Sequence, residues 1–281
     1  MRHPIIKQRL HRYASQTAED EENALKEILQ EIALYALSST DFFTKALFQG
    51  GTALRILYQL PRFSEDLDFI LKQPDPHFRW QPYLDEMSKA FTLFDIEPEI
   101  VDRNKASDTI QKLFLKDHSI GKLLTLHFPH HAHKKLLIKL EIDINPPSGS
   151  HEEITFLDFP MDYAISTQDL SSNFAGKCHA LLCRPYIRGR DWFDFSWSIA
   201  RKTPINLEFL KNAIQQYGPW AGQNIQVSHT WLTQALSQKV NEIDWKKAVL
   251  DASRFINMPY KDSLKFWNQA FFAKKIASLT A

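Results

Sequence analysis

The glycine pair Gly50-Gly51, the only adjacent pair in the chain, is followed at once by Thr52 and then by Asp66 and Asp68. The chain has just 8 glycines, so two side by side mark a backbone that must approach something closely. An apolar stretch runs into the pair, and Thr52 opens a helix-like segment to about Gln59. Glycine N–H groups at a helix start hold phosphate. Two carboxylates at i and i+2 on a strand share a face about 6–7 Å apart and can hold a divalent cation. A phosphate cradle beside metal carboxylates points to nucleotide chemistry. The bland alternative is a tight strand-to-helix turn followed by a strand with two solvated acids.

Two further groups fit that chemistry. Leu136–Ile144 alternates, with Ile138, Leu140, Ile142 and Ile144 on one face and Lys139, Glu141 and Asp143 on the other. Metal-dependent nucleotidyl transfer needs a third carboxylate that helps bind metal and receives the proton of the attacking hydroxyl. Glu141 is preferred for it, with Asp143 as competitor. Downstream, Lys177 stands among small and apolar residues on a helix from Ser172, a pattern suited to a phosphate-facing cation. The segment Arg188-Gly189-Arg190-Asp191-Trp192-Phe193-Asp194 follows, where Gly189 should end a turn and Asp191 should cap the next helix. Its acids suit either catalysis or structural salt bridges. Arg62 and Ser64 lie in the turn before the first carboxylates; Arg62 could touch phosphate or pair with Glu65 or Asp66.

These residues need strands and helices to position them. Glu21–Leu37 carries an apolar helical stripe, and Thr40-Asp41 starts a short second helix. Strands are expected at Ala46–Gln49 and Asp66–Leu71, with a helix after Pro76 running to about Phe94. Further strands are expected at Glu97–Asp102, Gln111–Leu115, Lys122–Phe128 and Leu136–Ile144. Beyond about Asp158 the chain reads as helices: Ser172–Cys183, Asp191–Ala200, Leu207–Gln216, His229–Lys239, Asp244–Asp251 and Asp262–Ile276. The expected architecture is α/β (α+β): a mixed sheet flanked by helices over residues 1–160, then a helical C-terminal lobe over 161–281 that completes the active-site cleft.

A net charge of +1 excludes a strongly basic nucleic-acid coat and leaves room for a local basic groove. Cys178 and Cys183 are spaced as reduced core thiols rather than a disulfide. No signal-peptide core or membrane span is evident, so a cytoplasmic location is expected. The run His130-His131-Ala132-His133 has no nearby cysteine and matches no closed zinc site.

Taken together, Gly50-Gly51-Thr52, Arg62 to Asp68, Lys139-Leu140-Glu141, Lys177 and Arg190–Asp194 resemble the AbiEii-type nucleotidyltransferase toxins of AbiE-like toxin–antitoxin and phage-defence systems. These belong to the wider polymerase-β-like nucleotidyltransferase superfamily. The likeness spans roughly residues 45 to 200. It implies that Gly50, Gly51 and Thr52, with Arg62 and Ser64, bind the nucleotide. It implies that Asp66, Asp68 and Glu141 hold two Mg²⁺ (or Mn²⁺) ions, and that Lys177 meets the triphosphate. Asp191 or Asp194 supports catalysis or holds Lys177 and Arg190 in place. The implied reaction moves a nucleoside monophosphate from an NTP to an acceptor hydroxyl such as the 3′ end of tRNA, arresting growth, with an antitoxin encoded alongside. Two other functions fit the same residues: nucleotidylation of a protein hydroxyl, and a nucleotide-binding regulatory protein without turnover.

Overall fold

The computed structural model describes residues 4–102, 109–117, 136–256 and 260–280. The expected strand at 122–128 and the histidine run lie outside them. Two compact units divide the chain. The first holds residues 1–53, 64–146 and 153–167; the second holds 54–63, 147–152 and 168–281.

The first unit is built on a seven-stranded sheet of order β3-β4-β5-β2-β1-β7-β6. Its strands are β1 (Ala46–Gln49), β2 (Asp66–Leu71), β3 (Glu99–Asp102), β4 (Ile110–Asp117), β5 (Leu136–Asp143), β6 (Glu152–Leu157) and β7 (Tyr163–Gln168). The sheet is mixed: β2 runs parallel to β5 and β1 parallel to β7, whereas β1–β2, β3–β4 and β4–β5 are antiparallel. Phe48, Phe69, Leu140 and Ile142 are buried on one face, as period-2 alternation requires. Helix α1 spans Pro4–Arg12 and helix α2 spans Ala18–Ser38. Thr17 caps α2 by accepting from the Asp20 N–H, and the acids Glu19, Asp20 and Glu21 fill its first turn. Helix α2 packs on β5 and on α5 (Gln81–Thr92). Short α3 (Phe42–Lys45) brings Phe42 against Phe69, Phe78, Trp80 and Tyr83 in an aromatic cluster.

Two strands depart from the sequence expectation. β7 lies where helices were expected, and β6 precedes it. Their sequences, Glu-Glu-Ile-Thr-Phe-Leu and Tyr-Ala-Ile-Ser-Thr-Gln, mix polar, small and apolar residues. A buried strand carrying Ser166, Thr167 and Gln168 gives no clear apolar alternation.

Helix α4 spans Gly50–Tyr58 and begins two residues before the expected Thr52. Gly50, at φ +80°, supplies the left-handed backbone that lets the strand turn directly into it.

The second unit is helical: α6 (Leu170–Cys183), α7 (Gly189–Ala200), α8 (Leu207–Gln216), α9 (His229–Asn241), α10 (Trp245–Ser253) and α11 (Gln269–Ala277). A core of Phe174, Trp192, Phe195, Leu232, Leu236 and Phe272 joins them. The single helix expected over Asp262–Ile276 is instead a 3₁₀ segment, Tyr260–Phe266, followed by α11. Asn268 accepts the Phe271 N–H and starts α11 afresh. Cys178 and Cys183 are buried free thiols, and burial pushes Cys183 up to about 11.

Gly189 does not end a turn and Asp191 is not the cap. Arg188 occupies the N-cap position and Gly189 is the first residue of α7. The reason is packing: a Cβ on Gly189 would overlap the Ala248 carbonyl oxygen of α10. Gly189→Ala is therefore expected to force α7 and α10 apart and to destabilise the protein by about 1–3 kcal/mol. Urea unfolding measures it, and an unchanged midpoint would refute the close-approach reading.

Candidate functional site

In the first unit the β2/β5 register gathers the acids. Asp66 lies opposite Lys139, Asp68 opposite Glu141, and Ile70 opposite Asp143. Glu141 is thus flanked by Asp68 on one side and by Lys112 of β4 on the other. The Lys139 ammonium sits 2.9 Å from Glu141 Oε2 and 3.5 Å from Asp66 Oδ2, and Lys112 Nζ lies 3.8 Å from Glu141 Oε1. Partial burial alone would lower the Lys139 pKa, but Glu141, Asp66 and Asp68 outweigh it and raise the pKa above its usual value. Asp143 is engaged elsewhere: its Oδ1 accepts the Asn145 N–H at 2.9 Å, and burial raises its pKa.

Gly50 and Thr52 fix this group from the side. A Cβ on Gly50 would overlap the Asp68 carboxylate, so only glycine leaves Asp68 its position. Thr52 is fully buried, and its hydroxyl donates to the Asp66 carbonyl oxygen. That hydroxyl ties α4 to the start of β2. Gly51 is buried behind the half-buried Gly50. Ser64 accepts through its carbonyl oxygen from Gln30 Nε2 at 3.0 Å.

The second unit contains the other candidates. Arg62 is 2% exposed and pairs with neither Glu65 nor Asp66. Its Nε and Nη2 donate to the two carboxylate oxygens of Asp194, each at 2.6 Å, while Nη1 donates to the Phe63 carbonyl oxygen at 2.9 Å. Backbone contacts hold this segment: the Phe63 N–H donates to the Phe255 carbonyl oxygen, and Arg62 bridges to Ile256. An arginine so engaged and buried is a structural residue rather than a surface phosphate contact.

Lys177 Nζ lies 2.9 Å from Asp194 Oδ2 and 3.7 Å from Asp191 Oδ1. Arg184 Nη1 donates to Asp191 Oδ2 at 2.7 Å. The result is a charge chain, Arg62–Asp194–Lys177–Asp191–Arg184. Burial pushes the Asp194 carboxyl upward, yet Arg62 and Lys177 outweigh it and hold the pKa below the ordinary carboxylate value. Arg190 lies over the Phe255 ring, 3.9 Å from its centroid, and its N–H donates to Asp251.

The sequence reading placed Lys139 on the Glu141 face, and the structure adds its contact with Asp66. Two pairs escaped that reading. The Arg184–Asp191 pair was signalled only weakly, by Arg184 ending the Lys177 helix. The Arg62–Asp194 pair had no local signal, since 132 residues separate its members.

A mixed sheet with acids aligned on neighbouring strands, in a chain that also forms a helical unit, is a fold found among nucleotidyltransferase toxins. The nucleotidyltransferase toxin MenT4 from Mycobacterium tuberculosis H37Rv shares the fold at a TM-score of 0.58 and 18% identity, covering 96% of this chain and 88% of that one. JHP933 from Helicobacter pylori matches at a TM-score of 0.48 and 18% identity, over 92% and 90% of the two chains. No curated protein matches the sequence. The family model for the nucleotidyl transferase AbiEii toxin, type IV TA system, matches residues 32–265. The chain belongs to that family. Among the described residues no helix is long and apolar enough to cross a membrane.

Removing Asp194 leaves Arg62 and Lys177 short of their shared counter-charge. Asp194→Ala is expected to cost about 3–5 kcal/mol in chemical unfolding. Because the folded pKa is depressed, the Asp194 contribution is complete above its unfolded pKa and fades as pH falls through the folded value. Between about pH 7 and about pH 3, wild type should therefore lose more stability than Asp194→Asn. Parallel acid profiles would refute the assignment.

Proposed function

We propose that the chain transfers a nucleoside monophosphate from an NTP to a hydroxyl at the 3′ end of tRNA, and that the blocked tRNA arrests growth. The observation that carries the chemistry is the β2/β5 register, which sets Glu141 beside Asp68 and Lys139 beside Asp66 on one sheet face. Membership of a nucleotidyltransferase toxin family supports nucleotidyl transfer and an NTP substrate. The tRNA acceptor rests on the resemblance, whereas an antitoxin partner is supported also by membership of a toxin–antitoxin family.

Asp66, Asp68 and Glu141 would hold two Mg²⁺ ions, or Mn²⁺ in their place. Among the described residues no three His, Cys, Asp or Glu side chains form a ready ligand cluster. The donor set nevertheless fits: all three are hard oxygen ligands, and an ammonium already lies against two of them. Bound there, the ions would neutralise charge on the transferring group and on the pyrophosphate.

The chain's own residues do the rest. Glu141 takes the proton of the attacking hydroxyl as its oxygen bonds to the α-phosphorus and the bond to the pyrophosphate oxygen breaks. Gly50 and Gly51 allow the backbone to come close to phosphate. The Thr52 hydroxyl, committed to the Asp66 carbonyl, positions β2 rather than gripping phosphate. Lys177 bears on the polyphosphate, with Asp194 and Asp191 holding its ammonium in place. Arg62 acts through Asp194 as a positioning residue.

Incubation with each α-labelled NTP, total tRNA and cell lysate tests the reading. Label in RNA supports it, label in protein replaces the acceptor, and label in neither leaves a nucleotide-binding protein without turnover. Asp66→Ala or Asp68→Ala should lower turnover at least about a hundredfold and abolish growth arrest; a folded Asp66→Ala protein that remains toxic would end the metal-site assignment. Glu141→Gln should stop transfer while Asp143→Asn stays mild. Lys177→Ala should raise the NTP requirement, and Lys177→Arg should recover part of it; equal kinetics in all three proteins would make Lys177 purely structural.

A further inference from the structure

The second unit contains a pocket of about 240 Å³ formed by the C-terminal turn of α6, the loop into α7 and the end of α9. Pro185, Ile187 and Ile243 give it apolar walls, while Arg184, Arg188 and Lys239 line it with cations. Two acids also reach it, Asp191 and Glu242. Asp191 is shared between Arg184 and Lys177, and Glu242 lies 3.5 Å from Lys239. Tyr186, also in the lining, is 63% exposed, and the Arg184 guanidinium lies 5.9 Å from its ring centroid.

An exposed aromatic ring beside cations, over an aliphatic wall, suits a ligand that is flat at one end and anionic at the other. That combination defines a nucleotide: the ring stacks on Tyr186 and the phosphate meets the cations. The volume falls below the roughly 300–1,000 Å³ of pockets for drug-sized ligands, so it admits one nucleotide unit and not a longer stretch of strand. An acidic peptide would satisfy the cations but leave the ring and the aliphatic wall without a partner.

We propose that this pocket is a second nucleotide-binding site, taking a single nucleotide unit either as a free monophosphate or as a unit of an RNA strand. The proposal rests on the nucleotidyl-transfer reading, which supplies a nucleic-acid acceptor for such a site. Arg184 connects the pocket to Lys177, because both bases contact Asp191. A phosphate that draws on Arg184 competes with Asp191 for it and leaves Asp191 more fully to Lys177.

The test is equilibrium binding to the full chain in the absence of NTP and divalent metal, so that it does not depend on turnover. The probe is a fluorescein-labelled single-stranded RNA read by anisotropy, with the four nucleoside 5′-monophosphates and an acidic peptide as competitors. Tyr186→Ala and Lys239→Gln should each weaken RNA binding about tenfold, Tyr186→Phe should retain it, and Lys239→Gln should flatten its salt dependence. Competition by monophosphates that is itself lost in Tyr186→Ala identifies a free nucleotide as the ligand; competition by unlabelled RNA alone identifies the strand. Unchanged affinity in the folded Tyr186→Ala/Lys239→Gln double variant overturns the proposal, as does equal competition by the acidic peptide. If transfer to RNA occurs while that double variant binds normally, the pocket fails and the activity stands. If the variants weaken binding but no NTP is ever transferred, the activity fails and the pocket stands.

Discussion

The parallel pairing of β2 with β5 is the constraint that creates a chemically useful face. Parallel neighbours cannot be joined by a tight turn, and the described residues between these two strands include α5, β3 and β4. Leu67 and Phe69 pair with Leu140 and Ile142 in the buried layer, and this apolar match sets the register. Because side chains alternate, the same register aligns Asp66 and Asp68 with Lys139 and Glu141 on the opposite face. A slip of β2 by one residue would bury both aspartates and expose Leu67 and Phe69. Core packing thus positions the acids, and no separate device is needed to bring them together. Thr52 and Gly50 refine the arrangement: one hydroxyl anchors the first residue of β2, and one missing Cβ leaves room for Asp68.

In the second unit charge rather than apolar matching does the positioning. Asp194 is fully buried and would be costly alone, but a bidentate arginine and a lysine surround it. The arginine comes from the 54–63 segment, and the lysine and aspartates come from α6 and α7. Such a network discriminates strongly among arrangements, because displacing one member strands the others in a low-dielectric interior. It also immobilises Lys177, whose long side chain would otherwise range over many rotamers.

What could be read from the sequence follows from how local each signal was. That Asp66 and Asp68 share one strand face, and Lys139 and Glu141 another, was legible because period-2 spacing and strand alternation are properties of a few consecutive residues. What strand alternation could not supply is the cross-strand register, which puts Glu141 opposite Asp68 and Asp143 opposite Ile70, where Asp143 accepts from the Asn145 backbone. Arg62 was misread because its partner is distant in the chain; nearby Glu65 and Asp66 were the natural candidates, and only the fold supplies Asp194. The start of α7 was misread because Gly189 resembles a terminator, whereas here it is the smallest residue that lets α10 approach. β6 and β7 were illegible for a third reason: the alternation on β6 is brief and its Ile154 and Phe156 are exposed, while β7 ends in the polar run Ser166-Thr167-Gln168.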